Sequence, residues 1–137
     1  MCCLSKGLGA PVGSLLVASA ERVAAARVLR KRLGGGMRQA GILAAAGRYA
    51  LAHHLPRLAE DHANARRLAG LVGLDPAAVG SNIVTVRVPD AAAVVAAARQ
   101  DGVLVGAMGP RVVRCVTHLE VDGDGIEYAG RVLAPLL

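Results

Sequence analysis

Lysine is scarce in this chain. Of sixteen basic residues fourteen are arginine, and the two lysines are Lys6 and Lys31. Lys6 lies in the stretch LSKGLGAPVGS, residues 4–14, against the small residues Gly7, Gly9, Ala10, Pro11 and Gly13. Where only positive charge is needed, this chain uses arginine. A lysine in that background points to a task for an amine that can lose its proton, such as imine formation with a carbonyl. Small residues after it leave room for a flat ring beside the amine, and Pro11 stiffens the loop, an arrangement that favours a carbonyl cofactor. The bland alternative is a surface lysine in a glycine-rich turn. The stretch is not a phosphate-binding loop of the GxxxxGK[ST] type, because Lys6 precedes its glycines. Nor is it a dinucleotide fingerprint: Gly7 and Gly9 fit, but Val12 stands where the third glycine belongs.

A second stretch, RKRLGGGMRQAG (30–41), holds three consecutive glycines, Gly34, Gly35 and Gly36. Glycines that adopt positive φ can turn their N–H groups into an anion-binding concavity. A helix is predicted to begin at Gly36 or Met37, adding its positive dipole end. Arg38 then falls in the first turn, where a cation opposes the dipole by about 0.3–1 kcal/mol unless an anion reverses the sign. Arg30 and Lys31, one turn back, add to the field. The alternative is a hinge between helices with an incidental arginine. A third stretch, RVVRCVTHLEV (111–121), alternates as a strand, with Arg114, Val116 and His118 on one side and Val113, Cys115 and Thr117 on the other. An arginine on such a polar face can grip a carboxylate through two parallel hydrogen bonds. The alternative is an edge strand with an ordinary exposed arginine. The charged run EDHANARR (60–67) reads as a solvated helix face, with Glu60/Asn64 and His62/Arg66 at helical spacing. His53 and His54, near a helix end, read as complements to the dipole.

Composition bounds the elements that must position these residues. The chain has 137 residues, 54% hydrophobic, with no Phe, no Trp and two tyrosines, Tyr49 and Tyr128. Its core must be Leu, Val and Ala. No apolar run reaches the roughly 20 residues of a membrane span, and the N-terminus lacks a secretory pattern. Three cysteines, Cys2, Cys3 and Cys115, read as buried strand residues in a reducing, cytoplasmic setting, without metal-ligand spacing. Residues 1–70 carry eleven basic and three acidic side chains, and residues 71–137 carry five and seven. The basic half lacks the aromatics that stack on bases, so no nucleic-acid partner is expected. Met1–Leu4 reads as the end of a strand and 14–19 as another. Helices are predicted at 20–33, with Val23, Ala26, Leu29 and Leu33 on one face, at 37–55 and at 57–73. Asp75-Pro76 marks a linker. Beyond it come a strand at 82–88, a helix at 89–102 capped by Asp90 and closed by Gly102, strands in 103–109 and 111–121, and a terminal helix frayed by Gly125 and Gly130. The fold class is therefore α/β to α+β.

Taken in order, LSKGLGAPVGS, RKRLGGGMRQAGILAAAG, LAEDHANARRLA, SNIV and RCVTHLEV resemble the low-specificity L-threonine aldolases, from about Cys3 to about Asp122. The resemblance implies the C-terminal portion of a pyridoxal-phosphate enzyme of fold type I. It divides the chain into the end of the cofactor-binding large domain (1–56), a connecting helix (57–74) and a small α+β domain (75–137). It implies that Lys6 carries the cofactor, that Arg38, Lys31 and Gly36 lie near its phosphate across a subunit boundary, and that Arg114 grips the substrate carboxylate. It further implies cleavage of L-threonine or L-allo-threonine to glycine and acetaldehyde, and assembly as a homo-oligomer. The family's preceding large-domain portion is missing from this sequence, so the chain is expected to be inactive alone. The alternatives are a non-enzymatic fragment that needs a partner chain, and a related β-eliminating lyase.

Overall fold

The computed structural model describes residues 1–137 as two compact units, Met1–Pro56 and Arg57–Leu137, with mixed helix and strand.

In the first unit a two-stranded antiparallel ribbon joins β1 (Cys2–Cys3) to β2 (Ser14–Leu15), pairing Cys2 with Leu15 and Cys3 with Ser14. The predicted strand at 14–19 shrinks to two residues. Cys2 and Cys3 are exposed rather than buried, because a ribbon this short has no layer over its faces. Between the strands the chain folds back on itself. The Leu4 amide donates to the Gly13 carbonyl (2.9 Å), Ala10 to Leu4 (2.9 Å) and Gly9 to Lys6 (2.7 Å). Leu4, Leu8 and Ala10 are buried, and Lys6 is exposed. Helix α1 (Ala20–Arg32) starts where Ser19 Oγ accepts the Arg22 amide (3.4 Å). Its predicted apolar face is only partly covered: Val23 and Ala26 are half-buried, while Leu29 and Leu33 are 55% and 85% exposed.

Helix α2 (Gly41–His53) begins later than the sequence predicts. Gln39 adopts φ +48°, in the left-handed region, so Met37–Ala40 cannot be helical. Arg38 therefore precedes the helix instead of lying in its first turn. The triglycine turn therefore has no helix N-terminus behind it, and no helix dipole favours an anion there.

The second unit is a three-stranded antiparallel sheet, order β3-β5-β4, packed on one face by helices. Helix α3 (Leu58–Leu71) leads through a single 3-10 turn (Pro76–Ala78) to β3 (Ile83–Arg87), α4 (Ala91–Gln100), β4 (Gly106–Ala107), β5 (Val112–Val116) and α5 (Gly123–Leu133). The caps are local and legible. Asp75 Oδ1 accepts the Ala77 amide (2.9 Å), Asp90 Oδ1 those of Ala92 and Ala93 (3.0 and 3.1 Å), and Asp122 Oδ1 that of Gly125 (2.9 Å). Each helix cap is worth about 1 kcal/mol. Gly102 ends α4 at φ +74°. Val84, Val86, Val113 and Cys115 point inward with Leu68, Ile126 and Leu133, and Ile83, Thr85, Arg87, Arg114 and Val116 form the open face. The predicted strand in 103–109 reduces to two residues paired with Val113 and Arg114.

Gly130 does not fray α5. It is buried, and a Cβ there would come within 2.6 Å of Leu71 Cδ1 and 2.8 Å of Leu71 Cβ. The glycine lets α3 and α5 pack closely. Gly130→Ala gains about 1 kcal/mol of helix propensity but overpacks the contact by about 1–3 kcal/mol. A net loss of roughly 1 kcal/mol is expected in the denaturant midpoint; a gain would show that the two helices can separate freely.

Burial pushes the Cys115 thiol up from its ordinary value of 9.0 to about 11. The folded state thus binds this proton more tightly than the unfolded chain. Its contribution is intact below pH 9 and is lost as pH rises through 11, by about 2–3 kcal/mol in all. Comparing unfolding at about pH 8 and pH 11, wild type should lose that much more stability than Cys115→Ala. Equal losses would contradict it.

Candidate functional site

The first group lies in the Met1–Pro56 unit. Lys6 projects from the tight turn that β1 enters, flanked by the buried Leu4 and Leu8. Its neighbours Gly7 and Gly9 add no side chains beside it, and Gly9 takes φ +70°. That turn is fixed from α2: a Cβ at Gly47 would sit 3.0 Å from Leu4 Cδ1, so the helix backbone receives the leucine directly.

The triglycine turn follows α1. Gly34 has φ +80°, and the amides of Gly34 and Gly35 donate back to Lys31 and Arg30 carbonyls at 3.2 and 2.8 Å. Arg30 and Lys31 fold over the turn. A Cβ on Gly36 would lie 2.8 Å from Lys31 Cδ and 3.4 Å from its Nζ, and one on Gly35 would lie 3.0 Å from Arg30 Cγ. Lys31 and Gly36 are therefore brought together as a cradle that any side chain at 36 would fill. The Lys31 ammonium over this turn matches a small anion by charge. The ion pairs of the chain, Arg57–Asp61, Arg67–Glu127 and the His118–Glu120 contact, engage none of Lys6, Lys31, Arg38 or Arg114. These four cations keep their charge available.

Arg114 lies in the second unit, at the centre of the open sheet face. Register sets Thr85 on one side of it and Gly106 on the other. With no side chain at Gly106 and a short one at Thr85, the guanidinium has clear space on both flanks, as planar two-point recognition of a carboxylate needs. A separate cavity of about 420 Å³, walled largely by aliphatic residues such as Val103, Val105 and Ile126, opens elsewhere in this unit and does not include Arg114.

Sequence reasoning missed the residues that hold the end of β5. The charged run at 60–67 is not a fully solvated face: Asp61 is 1% exposed and Asn64 is 8% exposed. Arg57 pairs with Asp61 through both guanidinium nitrogens (2.7 and 3.2 Å). Thr117 Oγ1 donates to the Asp61 carbonyl (2.6 Å), and Asn64 Nδ2 donates to the Val121 carbonyl (3.4 Å). Asn82 Nδ2 donates to the Thr117 carbonyl (2.7 Å), tying the start of β3 to the end of β5. His118 lies beyond the strand, half-buried, where its Nδ1 accepts the Glu120 amide (3.4 Å). The signal available in sequence was a pair of short polar residues, Asp61 and Asn64, one helical turn apart.

Residues 1–94 match the beta-eliminating lyase family. The chain is 48% identical over 127 residues to the low specificity L-threonine aldolase of Escherichia coli K12, covering 89% of this chain and 38% of that protein. It is 42% identical over 137 residues to the probable low-specificity L-threonine aldolase 2 of Arabidopsis thaliana, covering 92% and 39%. With the probable low-specificity L-threonine aldolase of Schizosaccharomyces pombe it shares 38% identity over 135 residues, covering 96% and 35%. The chain thus spans about two-fifths of the length of these relatives. The stretches holding Lys6 and the triglycine cradle both lie within the family match, and on that match the chain belongs to the beta-eliminating lyase family.

Proposed function

We propose that this chain forms the C-terminal portion of a pyridoxal-phosphate-dependent lyase of fold type I that cleaves L-threonine or L-allo-threonine to glycine and acetaldehyde. The observation that carries the reading is the likeness to threonine aldolases across about nine-tenths of the chain, together with a lysine in a small-residue loop. In this reading residues 1–56 end the cofactor-binding domain, 57–74 connect, and 75–137 form the small domain.

Each residue then has a physical task. Lys6 supplies the amine that attaches the cofactor's aldehyde carbon. Gly36, Lys31 and Arg38 hold the phosphate; the Lys31 ammonium folded over Gly36 supplies charge for such an anion. Bound there, the cofactor supplies an electron sink for carbanion chemistry at the substrate's Cα. Arg114 orients the amino acid by its carboxylate, and such positioning lowers the barrier by removing rotational freedom before reaction. The relatives are about two and a half times as long, so catalysis draws on a second polypeptide or further chain, within a homo-oligomer. The 137-residue chain alone binds cofactor without turnover. The test is borohydride reduction of the chain in pyridoxal phosphate followed by peptide mapping: label is expected on Lys6, and label spread evenly over Met1, Lys6 and Lys31 overturns the reading. The family match to beta-eliminating lyases favours a second reading, elimination at Cβ. Products from threonine and serine separate the two, since cleavage releases glycine and elimination releases an oxo acid with ammonia.

A further inference from the structure

The turn that carries Lys6 is closed by a side chain 46 residues away. His54 Nδ1 lies 2.7 Å from the Leu8 carbonyl oxygen. A carbonyl only accepts, so Nδ1 carries the proton. We infer that His54 is a positioning residue for the Lys6 loop: its ring fixes the Leu8 carbonyl and thereby the turn that presents the Lys6 amine. This rests on the reading of Lys6 as the cofactor-bearing residue.

Several independent features set the ring in place. His54 follows the last residue of α2, and its own amide donates to the Ala50 carbonyl (2.8 Å), so its backbone is fixed by the helix. Gly47, Ala50 and His54 recur at three- and four-residue steps and lie on one helix face. Leu4 rests on Gly47, Ala50 is buried, and His54 reaches Leu8. The loop before and after Lys6 is therefore seated on a single stripe of α2. The Tyr49 ring stands edge-on to His54 at 5.5 Å. The remaining loop bonds, Gly9 to Lys6, Ala10 to Leu4 and Leu4 to Gly13, are internal to residues 4–13, so they shape the turn without seating it on α2. His54 thus does more than complement the dipole of α2, since its ring is engaged by a carbonyl outside the helix.

The imidazolium also donates from Nδ1, so the clamp persists when the ring is protonated. Asparagine can present an N–H donor close to the Nδ1 position, and leucine cannot. The experiment compares wild type, His54→Leu and His54→Asn in the 137-residue chain. It measures amide exchange at Gly9 and Ala10 and the ratio of borohydride-trapped pyridoxyl label on Lys6 to that on Lys31. His54→Leu is expected to lower both amide protection and the Lys6:Lys31 ratio by about five- to tenfold, the size of one net hydrogen bond, and His54→Asn to restore both. A merely structural effect would lower label at both lysines without changing their ratio. Unchanged protection and ratio in His54→Leu, or failure of asparagine to restore them, overturns the inference. If wild type shows no preference for Lys6 but loop protection still falls with leucine and returns with asparagine, the cofactor reading fails and the clamp stands.

Discussion

Lys6→Ala is expected to lose most of the pyridoxyl label that borohydride fixes on the wild-type chain. The chain has three primary amines: Lys6, Lys31 and the Met1 terminus. An amine with nothing to hold the aldehyde beside it condenses weakly, so selectivity for Lys6 over Lys31 requires that the phosphate be held nearby. In the proposed reading the Lys31–Gly36 cradle is the means. In wild type, borohydride fixes label predominantly on the peptide containing Lys6. In Lys6→Ala, incorporation drops to the level set by Met1 and Lys31. Lys6→Arg behaves as alanine does, because a guanidinium keeps its proton and cannot condense. Two further variants test the cradle. Lys31→Met removes a charged hydrogen bond worth about 1.5–3 kcal/mol, so half-saturation should need roughly ten- to a hundredfold more cofactor. Gly36→Val adds a Cβ that would stand 2.8 Å from Lys31 Cδ, displacing the amine by sterics while keeping its charge. Retained incorporation in Lys6→Ala, or no change with both cradle variants, would remove the basis for the proposed chemistry.

What the sequence could disclose follows from how local each feature is. Helix α4 was legible at both ends because Asp90 caps amides two and three residues ahead and Gly102 closes the helix within its own turn. Strand β3 was legible because Val84, Val86 and Val88 alternate with polar neighbours, and the sides assigned to Arg114 and Cys115 hold for the same reason. The start of α2 was not legible. It is set by the positive φ of Gln39, a conformation that propensity does not foresee in a run of helix-forming residues. Burial of Asp61 was equally hidden, because its backbone partner Thr117 lies 56 residues away. Lys6 and the triglycine stretch stood out by residue type alone. The cradle needed coordinates, since it depends on Lys31 folding back over Gly36. His54 needed them too, its partner being a backbone carbonyl that no residue pattern marks.

Arg57→Leu is expected to destabilise the second unit more than any other single change proposed. Asp61 is 1% exposed and its carboxylate is met by both nitrogens of Arg57. Removing the guanidinium strands a carboxylate in a site closed to water, and breaking such a pair from one side costs about 3–5 kcal/mol. A unit of about 80 residues has roughly 4–12 kcal/mol in total, so the variant sits near the unfolding threshold. Arg57→Lys keeps the charge but not the two-pronged geometry and should lose less. The double variant Arg57→Leu/Asp61→Leu removes both charges, and most of the loss should return, since an apolar replacement of a buried pair is often neutral. The chain offers a direct probe, with Tyr49 in one unit and Tyr128 in the other. In a Tyr49→Phe background, Tyr128 emission during urea unfolding reports the second unit alone. A loss under about 1 kcal/mol in Arg57→Leu, or no recovery in the double variant, would mean that the Thr117 and Asn64 bonds hold the end of β5 without the ion pair. Because β5 carries Arg114, the same ion pair also governs how firmly the arginine proposed to grip the carboxylate is presented.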